Sequence, residues 1–477
     1  MTINYIQFLN MIPEATLVAM LIFVFLVDFC SSNKTIRKWF NPLVCVLMAL
    51  QVVACVVAEP AEAFGSMYVS TVASNVMKVI LTAGTLIVLI MSKAWVETPK
   101  VRHHEGEYYM LMISTLLGMY FMISSGHFLM FFLGLEMASV PMACMVAMDK
   151  WKKISAEAGA KYILTATFSS GVMLYGLSFI YGAVGTLYFA DITPQMYLSP
   201  MTILGLVFFF AGLAFKLSLV PFHFWTADTY QGAPTPVTGY LSVVSKGAAA
   251  FALFAIFVNV FGAMVSHWEV LLYITIVLSI TVGNLFAIRQ TELKRFMAFS
   301  SISQAGYIML AVIGESPAGL TALMYYTLIY VVANMAVFTV INVVEHKNGG
   351  RTLIDDYNGF YQTNPRLSFL MTLALFSLAG IPPFAGMFSK FFVFMAAAEQ
   401  GSAWAYIVVF IALLNTVVSL YYYLLIVKAM YIKKSDKPIP AFRSDGNTRF
   451  ALAICTAGII LFGICSCIYE WLFAAAQ

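Results

Sequence analysis

Long apolar stretches alternate with short polar loops along the whole chain. About 20 apolar residues carry a helix across a bilayer, and fourteen stretches are of that scale. They cover residues 12–30, 42–59, 68–92, 108–125, 127–148, 157–183, 201–225, 237–262, 269–288, 295–314, 318–344, 367–398, 402–430 and 448–472. The turn Ser124-Ser125-Gly126-His127 is short enough to make the fourth and fifth helices a tight hairpin. Two stretches contain breakers. Pro221 interrupts the seventh, and Gly380-Ile381-Pro382-Pro383 interrupts the twelfth, which is too long for one span. Proline removes a backbone donor and clashes with the preceding turn. The pattern predicts an all-α polytopic membrane protein with about fourteen transmembrane helices, two of them broken.

Composition agrees with that reading. The chain is 61% hydrophobic and 10% charged, against about 25% charged for a soluble protein. The first stretch has no basic region before it and no clear small-residue cleavage site, so Ile12 to Phe29 is expected to stay as the first span.

Charge then orients the spans. Twenty-one of the 26 Lys and Arg fall in one set of alternate loops. These are Lys34, Arg37 and Lys38; Lys93, Lys100 and Arg102; Lys150, Lys152 and Lys153; Arg289, Lys294 and Arg295; Lys347, Arg351 and Arg366; and six from Lys428 to Arg449. The opposite loops carry none, but hold Glu59, Glu62, Asp191, Glu269, Glu315 and Glu399. Positive loops stay inside, which places both termini outside and agrees with an even number of spans. The loop Thr226–Pro236 has no basic residue and takes its side from its neighbours.

The seven cysteines form no CxxC pair, and Cys465-x-Cys467 has poor spacing for a metal knuckle. The six histidines form no HExxH, and no phosphate-cradling glycine loop occurs. No redox, metal or nucleotide centre is therefore expected in this chain.

Five basic residues remain inside the spans: Lys78, Lys161, Lys216, Lys246 and Lys390. Charge at membrane depth is costly and points to function. Lys216 lies in VFFFAGLAFKLSLVPFHFW, where Ala211, Gly212 and Ala214 permit close packing. Apolar sequence on both sides argues against a snorkelling lysine. Lys246 lies about nine residues into the eighth span, after Ser242 and Ser245, and Lys390 follows the double proline. Glu136 is the central acid, five residues before Pro141; a neutral structural acid is the plainer alternative. Asp28, Glu14 and Glu157 lie nearer helix ends, where water is in reach.

Lesser candidates follow. Glu157 and Lys161 share a helix face, as either an intake pair or an interfacial ion pair. Lys78 reads more readily as a structural partner. His223 lies at the inner end of the broken seventh span, where a histidine can shuttle protons.

Lys216 and Lys390 each follow an Ala-Gly pair at the same distance, with an offset of 174 residues. That offset shifts the chain by five helices, an odd number, so the second copy is inverted. Inverted repeats bracket a site near the midplane. The division expected is a three-helix segment over 1–107, five-helix repeats over 108–262 and 269–430, and a last helix within 448–477. Glu136 maps to Leu310, so the two halves differ in chemistry. A row of one acid and three lysines can pass protons laterally through water, and an ion gradient or a partner has to supply the energy.

The segments LGLEMASVPM, LAFKLSLVPFHFWTADTYQGAPTPVTGYLSVVSKGAAAF, NLFAIRQTELKRFMAFSSISQAGYIM and LAGIPPFAGMFSKFFVF carry a resemblance. Together with the fourteen-span plan, they resemble the antiporter-like subunits of respiratory complex I and of Mrp-type cation/proton antiporters. One paralogous class has a long C-terminal lateral helix, absent here. A second has glutamate at the second broken helix, where this chain has Lys390. The third class, of the bacterial-type NADH:quinone oxidoreductase, matches best. The resemblance implies that Glu136 and Lys216 form a modulating pair, Lys246 a connector and Lys390 the terminal proton donor. Glu157, Lys161 and His223 match secondary positions. It also implies a translocase subunit in a bacterial plasma membrane with no cofactor and no redox chemistry of its own. NADH, FMN, iron–sulfur clusters and the quinone site belong to partner subunits. The implied partners are paralogous antiporter-like subunits and small membrane subunits in the lipid bilayer, not nucleic acid. A cation/proton antiporter, a membrane-bound hydrogenase and a membrane scaffold are the competing functions.

Overall fold

The computed structural model describes residues 5–31, 37–435, 438–465 and 467–477. Lys34 and Lys437, counted among the basic loops, lie outside the described residues. The N-terminal segment holds α1 (Ile12–Cys30), α2 (Phe40–Val57), a hairpin of β1 (Ala61–Ala63) and β2 (Tyr68–Ser70), and α3 (Val72–Val96). The next part holds α4 (Glu105–Ile123), α5 (Phe128–Val146), α6 (Lys153–Val184), α7 (Phe189–Gln195), α8 (Pro200–Leu217), α9 (Phe224–Gly232) and α10 (Thr235–Asn259). Then come α11 (Val265–Ile288), α12 (Leu293–Ile313), α13 (Pro317–Lys347), α14 (Phe360–Thr363), α15 (Pro365–Ala379), α16 (Ala385–Glu399) and α17 (Ala403–Tyr431). α18 (Gly446–Ile464) and α19 (Cys467–Ala476) close the chain.

Twelve of these helices, among the described residues, are long and apolar enough to cross a membrane. α4, 19 residues long, and the broken pair α15–α16 occupy the other two predicted stretches and are not among those twelve. Two expectations need correction. The third span begins at Val72, not at residue 68, because Phe64, Gly65 and Ser66 adopt positive φ and turn the preceding chain into the hairpin. Thr71 then caps α3, accepting from the Ser74 amide while Ser74 Oγ accepts from Thr71 N. The last stretch is two helices, α18 and α19.

Burial ranks the helices. All of the most apolar stretch of α12 is buried, with 94% for α13 and 89% for α10, but only 28% for α1, α17 and α18. α10, α12 and α13 thus form a central row, and the outer helices give one face to lipid. Pairwise packing is similar in the two halves. α5 packs on α4, and α12 on α11; α6 packs on α8 and α9, and α13 on α15 and α16. Close approach needs small residues: a Cβ on Gly118 would lie 2.7 Å from Gly134 O across the α4–α5 contact.

Both breaks are real. α8 ends at Leu217, and Ser218 turns to the left-handed region at φ 62° before α9 begins. α15 ends at Ala379, Gly380 adopts φ 89°, and α16 begins after the prolines. Gly386 seats α16 against the end of α15, where a Cβ would fall 1.7 Å from Ser377 O.

Candidate functional site

Four lysines within the spans are buried: Lys78 at 0% exposure, Lys216 at 3%, Lys246 at 1% and Lys390 at 4%. The fifth, Lys161, is exposed on α6. Each buried ammonium has found a partner, as desolvated charge requires, but the partners differ in kind.

Lys78 is paired outright. Its Nζ lies 2.7 Å from Glu14 Oε1 and donates to Tyr68 OH at 3.1 Å. Glu14 is 2% exposed, so the expectation that it reaches water is wrong. It directly follows Pro13 in the first turn of α1, and the hairpin's Tyr68 covers it, donating to Oε2 at 2.9 Å. This pair joins α1, the hairpin and α3, apart from the other lysines.

Lys216 stands in the last turn of α8, where the helix dipole favours a cation. It donates to Ser139 Oγ at 2.9 Å and Tyr162 OH at 3.4 Å. Ser139 is one turn from Glu136 on α5. Glu136 is half-buried, and its Oε1 is buried without a hydrogen-bond partner. Ser139 Oγ accepts from Lys216 and donates to Leu135 O at 2.6 Å, so Glu136 and Lys216 make no ion pair and share no hydrogen bond through this hydroxyl.

Lys246, in the middle of α10, reaches α12. Its Nζ donates to Ser301 Oγ at 2.8 Å, over the Tyr230 ring at 5.5 Å. The Ser301 and Tyr230 oxygens are 3.3 Å apart.

Lys390 uses the break itself. Its Nζ donates at 2.9 Å to Ala379 O, a carbonyl at the C-terminus of α15, where the last carbonyls have no intrahelical partner. The ring of Tyr307 lies 5.0 Å away. A cavity of about 10 Å³ adjoins it, lined by Gln304, Tyr326, Tyr330, Ser377 and Ser389 among others, with room for about one water. Tyr326 OH donates to Gln304 Oε1, and Gln304 Nε2 donates to Leu378 O at 3.3 Å and Tyr423 OH at 3.2 Å.

α12 is thus the shared wall: Ser301 faces Lys246, while Gln304 and Tyr307 face Lys390. Further buried oxygens along this central line, among them Ser218 Oγ, Ser245 Oγ, Ser303 Oγ and Asn334 Oδ1, have no protein partner. Such groups are ordinarily satisfied by ordered water.

At the end that carries the basic loops, Lys161 Nζ contacts Glu157 Oε1 at 2.7 Å and Asp228 Oδ2 at 2.6 Å. Arg295 Nη1 reaches Asp228 Oδ1, also at 2.6 Å. Burial pushes the Asp228 carboxyl up, but hydrogen bonds from Lys161 and Arg295 outweigh it and hold the group below its usual range. His223 precedes α9, half-buried, its ring 4.6 Å from that of Phe224 and its Nδ1 without a partner. Among the described residues, His, Cys, Asp and Glu nowhere gather as a potential metal site. Asp228, Ser139, Tyr162, Ser301, Tyr230 and Gln304 were not singled out from sequence. Asp228 alone had a signal, as the one acid in a loop without basic residues.

With this geometry in place, comparison with known proteins is informative. Residues 125–416 match the family described as the NADH:quinone oxidoreductase/Mrp antiporter transmembrane family. NADH-quinone oxidoreductase subunit N of Phocaeicola vulgatus is 58% identical over 97% of this chain and 98% of its own. The subunit N of Azobacteroides pseudotrichonymphae is 50% identical over 98% of both chains. A chain of respiratory complex I from Thermus thermophilus with bound aureothin superposes with a TM-score of 0.80 at 29% identity, covering 95% of this chain and 97% of that one. The chain belongs to the antiporter-like membrane subunits of this family, on the branch of NADH-quinone oxidoreductase subunit N.

Proposed function

We propose that Glu136, Lys216, Lys246 and Lys390 form a lateral proton relay in the proton-translocating subunit N of an NADH:quinone oxidoreductase. NADH oxidation, with FMN and iron–sulfur clusters, and quinone reduction take place in partner subunits, and this chain supplies a path through the membrane. Paralogous antiporter-like subunits and small membrane subunits are its neighbours in a bacterial plasma membrane. The loop charges support an orientation with both termini outside. The two halves, 108–262 and 269–430, act as inverted copies, each with one broken helix and one lysine beside the break.

One observation carries the reading: three buried ammonium groups in a row, each held by hydroxyl, carbonyl or aromatic groups and none by a carboxylate. Lys78 is the contrast, because an ammonium fixed to Glu14 has a standing structural partner. A lysine without one can give up its proton and leave no orphaned anion beside it. Glu136 is the exception at one end. A carboxylate one turn from Ser139 favours the protonated form of Lys216 when it approaches and releases it when it withdraws. Buried hydroxyls without protein partners continue the line, where water can bridge.

Replacing Lys216 by Met in the assembled complex is the test. Proton pumping should be lost while the complex still assembles. Normal assembly with normal pumping would sink the relay.

A further inference from the structure

The short helix α9 touches the partners of two lysines at once. Near its start, the Trp225 ring packs on Tyr162 at 5.1 Å, and Tyr162 is the tyrosine that Lys216 reaches. Trp225 Nε1 also donates to Phe215 O at 3.1 Å, the residue beside Lys216. Near its end, Tyr230 lies beneath Lys246 and beside Ser301. A small displacement of α9 therefore acts on both lysine sites.

From outside, α9 is held at its C-cap by Lys294, whose Nζ donates to Ala233 O at 3.1 Å, and along its length by Asp228. Its two oxygens take one cation from each half: Lys161 of α6 and Arg295 of α12. Arg295 also donates to Gln231 Oε1 at 3.0 Å, one turn on. Lys161 has a second carboxylate in reach, Glu157 on its own helix. Inside, Thr226 Oγ1 and Thr229 Oγ1 are buried without hydrogen-bond partners, so these hydroxyls do not pin the inner face of the helix. The three charged side chains of the clamp are each about a third exposed or more. Such ion pairs are individually weak, so the clamp can open and re-form within a cycle.

We propose that Asp228 is a positioning residue that sets where α9 lies and so couples the Lys216 site to the Lys246 site. This rests on the relay reading above. Lys161, rather than passing protons, alternates between Glu157 and Asp228.

The experiment uses the whole complex with Asp228→Asn and Asp228→Glu, read by proton pumping per electron and by hydrogen exchange of residues 224–232. Asp228→Asn should lower pumping by about tenfold, the factor that two exposed ion-pair arms of ordinary strength supply together. The α9 amides should exchange faster while those of α10 do not change. Asp228→Glu, which keeps the charge, should restore most of both. Wild-type pumping and unchanged α9 exchange in Asp228→Asn overturn the clamp. Should Asp228→Asn fail to assemble, Arg295→Gln and Lys161→Gln each remove one arm. Faster α9 exchange with reduced pumping in both upholds the proposal, and any other result overturns it. Lys246→Met separates the two ideas: if it abolishes pumping while the Asp228 variants pump normally, the relay stands and the clamp falls. If Lys246→Met also pumps normally, the relay itself falls.

Discussion

The Lys216 and Lys390 sites sit beside the two broken helices, yet they solve the same problem with different chemistry. Lys216 precedes its break and is held by side chains from other helices, Ser139 and Tyr162, with Glu136 a turn away. Lys390 follows its break and is held by the backbone carbonyl that the break exposes. The first arrangement is adjustable, since a hydroxyl can rotate and a carboxyl can move. The second is fixed by the geometry of the chain. In the proposed relay, the first site would have its affinity for a proton set by its surroundings, and the second by the chain itself.

The matched glycines, each four residues before its lysine, give the most severe way to test this difference. A Cβ at Gly386 would lie 1.7 Å from the Ser377 carbonyl, whereas one at Gly212 would lie 2.5 Å from Met173 Cβ. Met173 Cβ is fixed by its own backbone, and Ser169 O would lie 2.9 Å from the same added Cβ, so the two sites differ in the depth of the overlap. Gly386→Ala should prevent stable assembly, while Gly212→Ala should cost about 1–3 kcal/mol, the usual range for overpacking. Thermal unfolding of the detergent-solubilised complexes ranks them. Equal losses would mean that the second break is no more rigid than the first.

Next in size is rescue. Glu136 is half-buried and makes no ion pair with Lys216, so Lys216→Met removes only a through-space attraction, and adding Glu136→Gln should recover up to about 1 kcal/mol. No side-chain change can rescue Lys390→Met in this way, because its lost partner is Ala379 O. A double variant no more stable than Lys216→Met would show that the acid does not feel that lysine. Ser139→Ala is milder than Lys216→Met. It removes one hydroxyl acceptor of Lys216, worth about 1 kcal/mol as one hydrogen bond. Pumping should change by a few-fold, with assembly intact. An increase would be as informative as a decrease, since Glu136 could then pair with Lys216 directly.

The sequence displayed the spans, the breaks and the buried lysines because each is a local signal: a run of apolar residues, a proline, a charge out of place. The partners were not legible. Ser139 is 77 residues from Lys216 and Ser301 is 55 from Lys246, and nothing marks one serine among many in apolar helices. Glu14 was misjudged for a related reason. Proximity to a helix end suggested water, but the folded-back hairpin brings Tyr68 over it. Asp228 sits on α9, whose role follows only from where the break at Pro221 redirects the chain.

The smallest effect concerns the acids at opposite ends of the two sites. Asp228 is held down by two cations. Glu315 lies on the loop after α12, where Gly314 packs against Ala396 of α16, the helix that carries Lys390. Burial, and then the negative charge of Glu269, push the Glu315 carboxyl up to about 7. The native state thus holds a proton here that the unfolded chain releases at ordinary carboxyl pH. Ionising it costs stability as pH rises from about 4.5, and that cost is fully present above about 7. Glu315→Gln removes it. The variant should unfold at the same temperature as the native protein at pH 4 and at a higher one at pH 8. Asp228→Asn should show the opposite sense, because a depressed carboxyl contributes its stability at pH 8 and loses it as pH falls. If both substitutions shift unfolding in the same direction at pH 8, the two ends are not electrostatic opposites. The difference between an adjustable and a fixed site would then rest on the lysines' immediate partners alone.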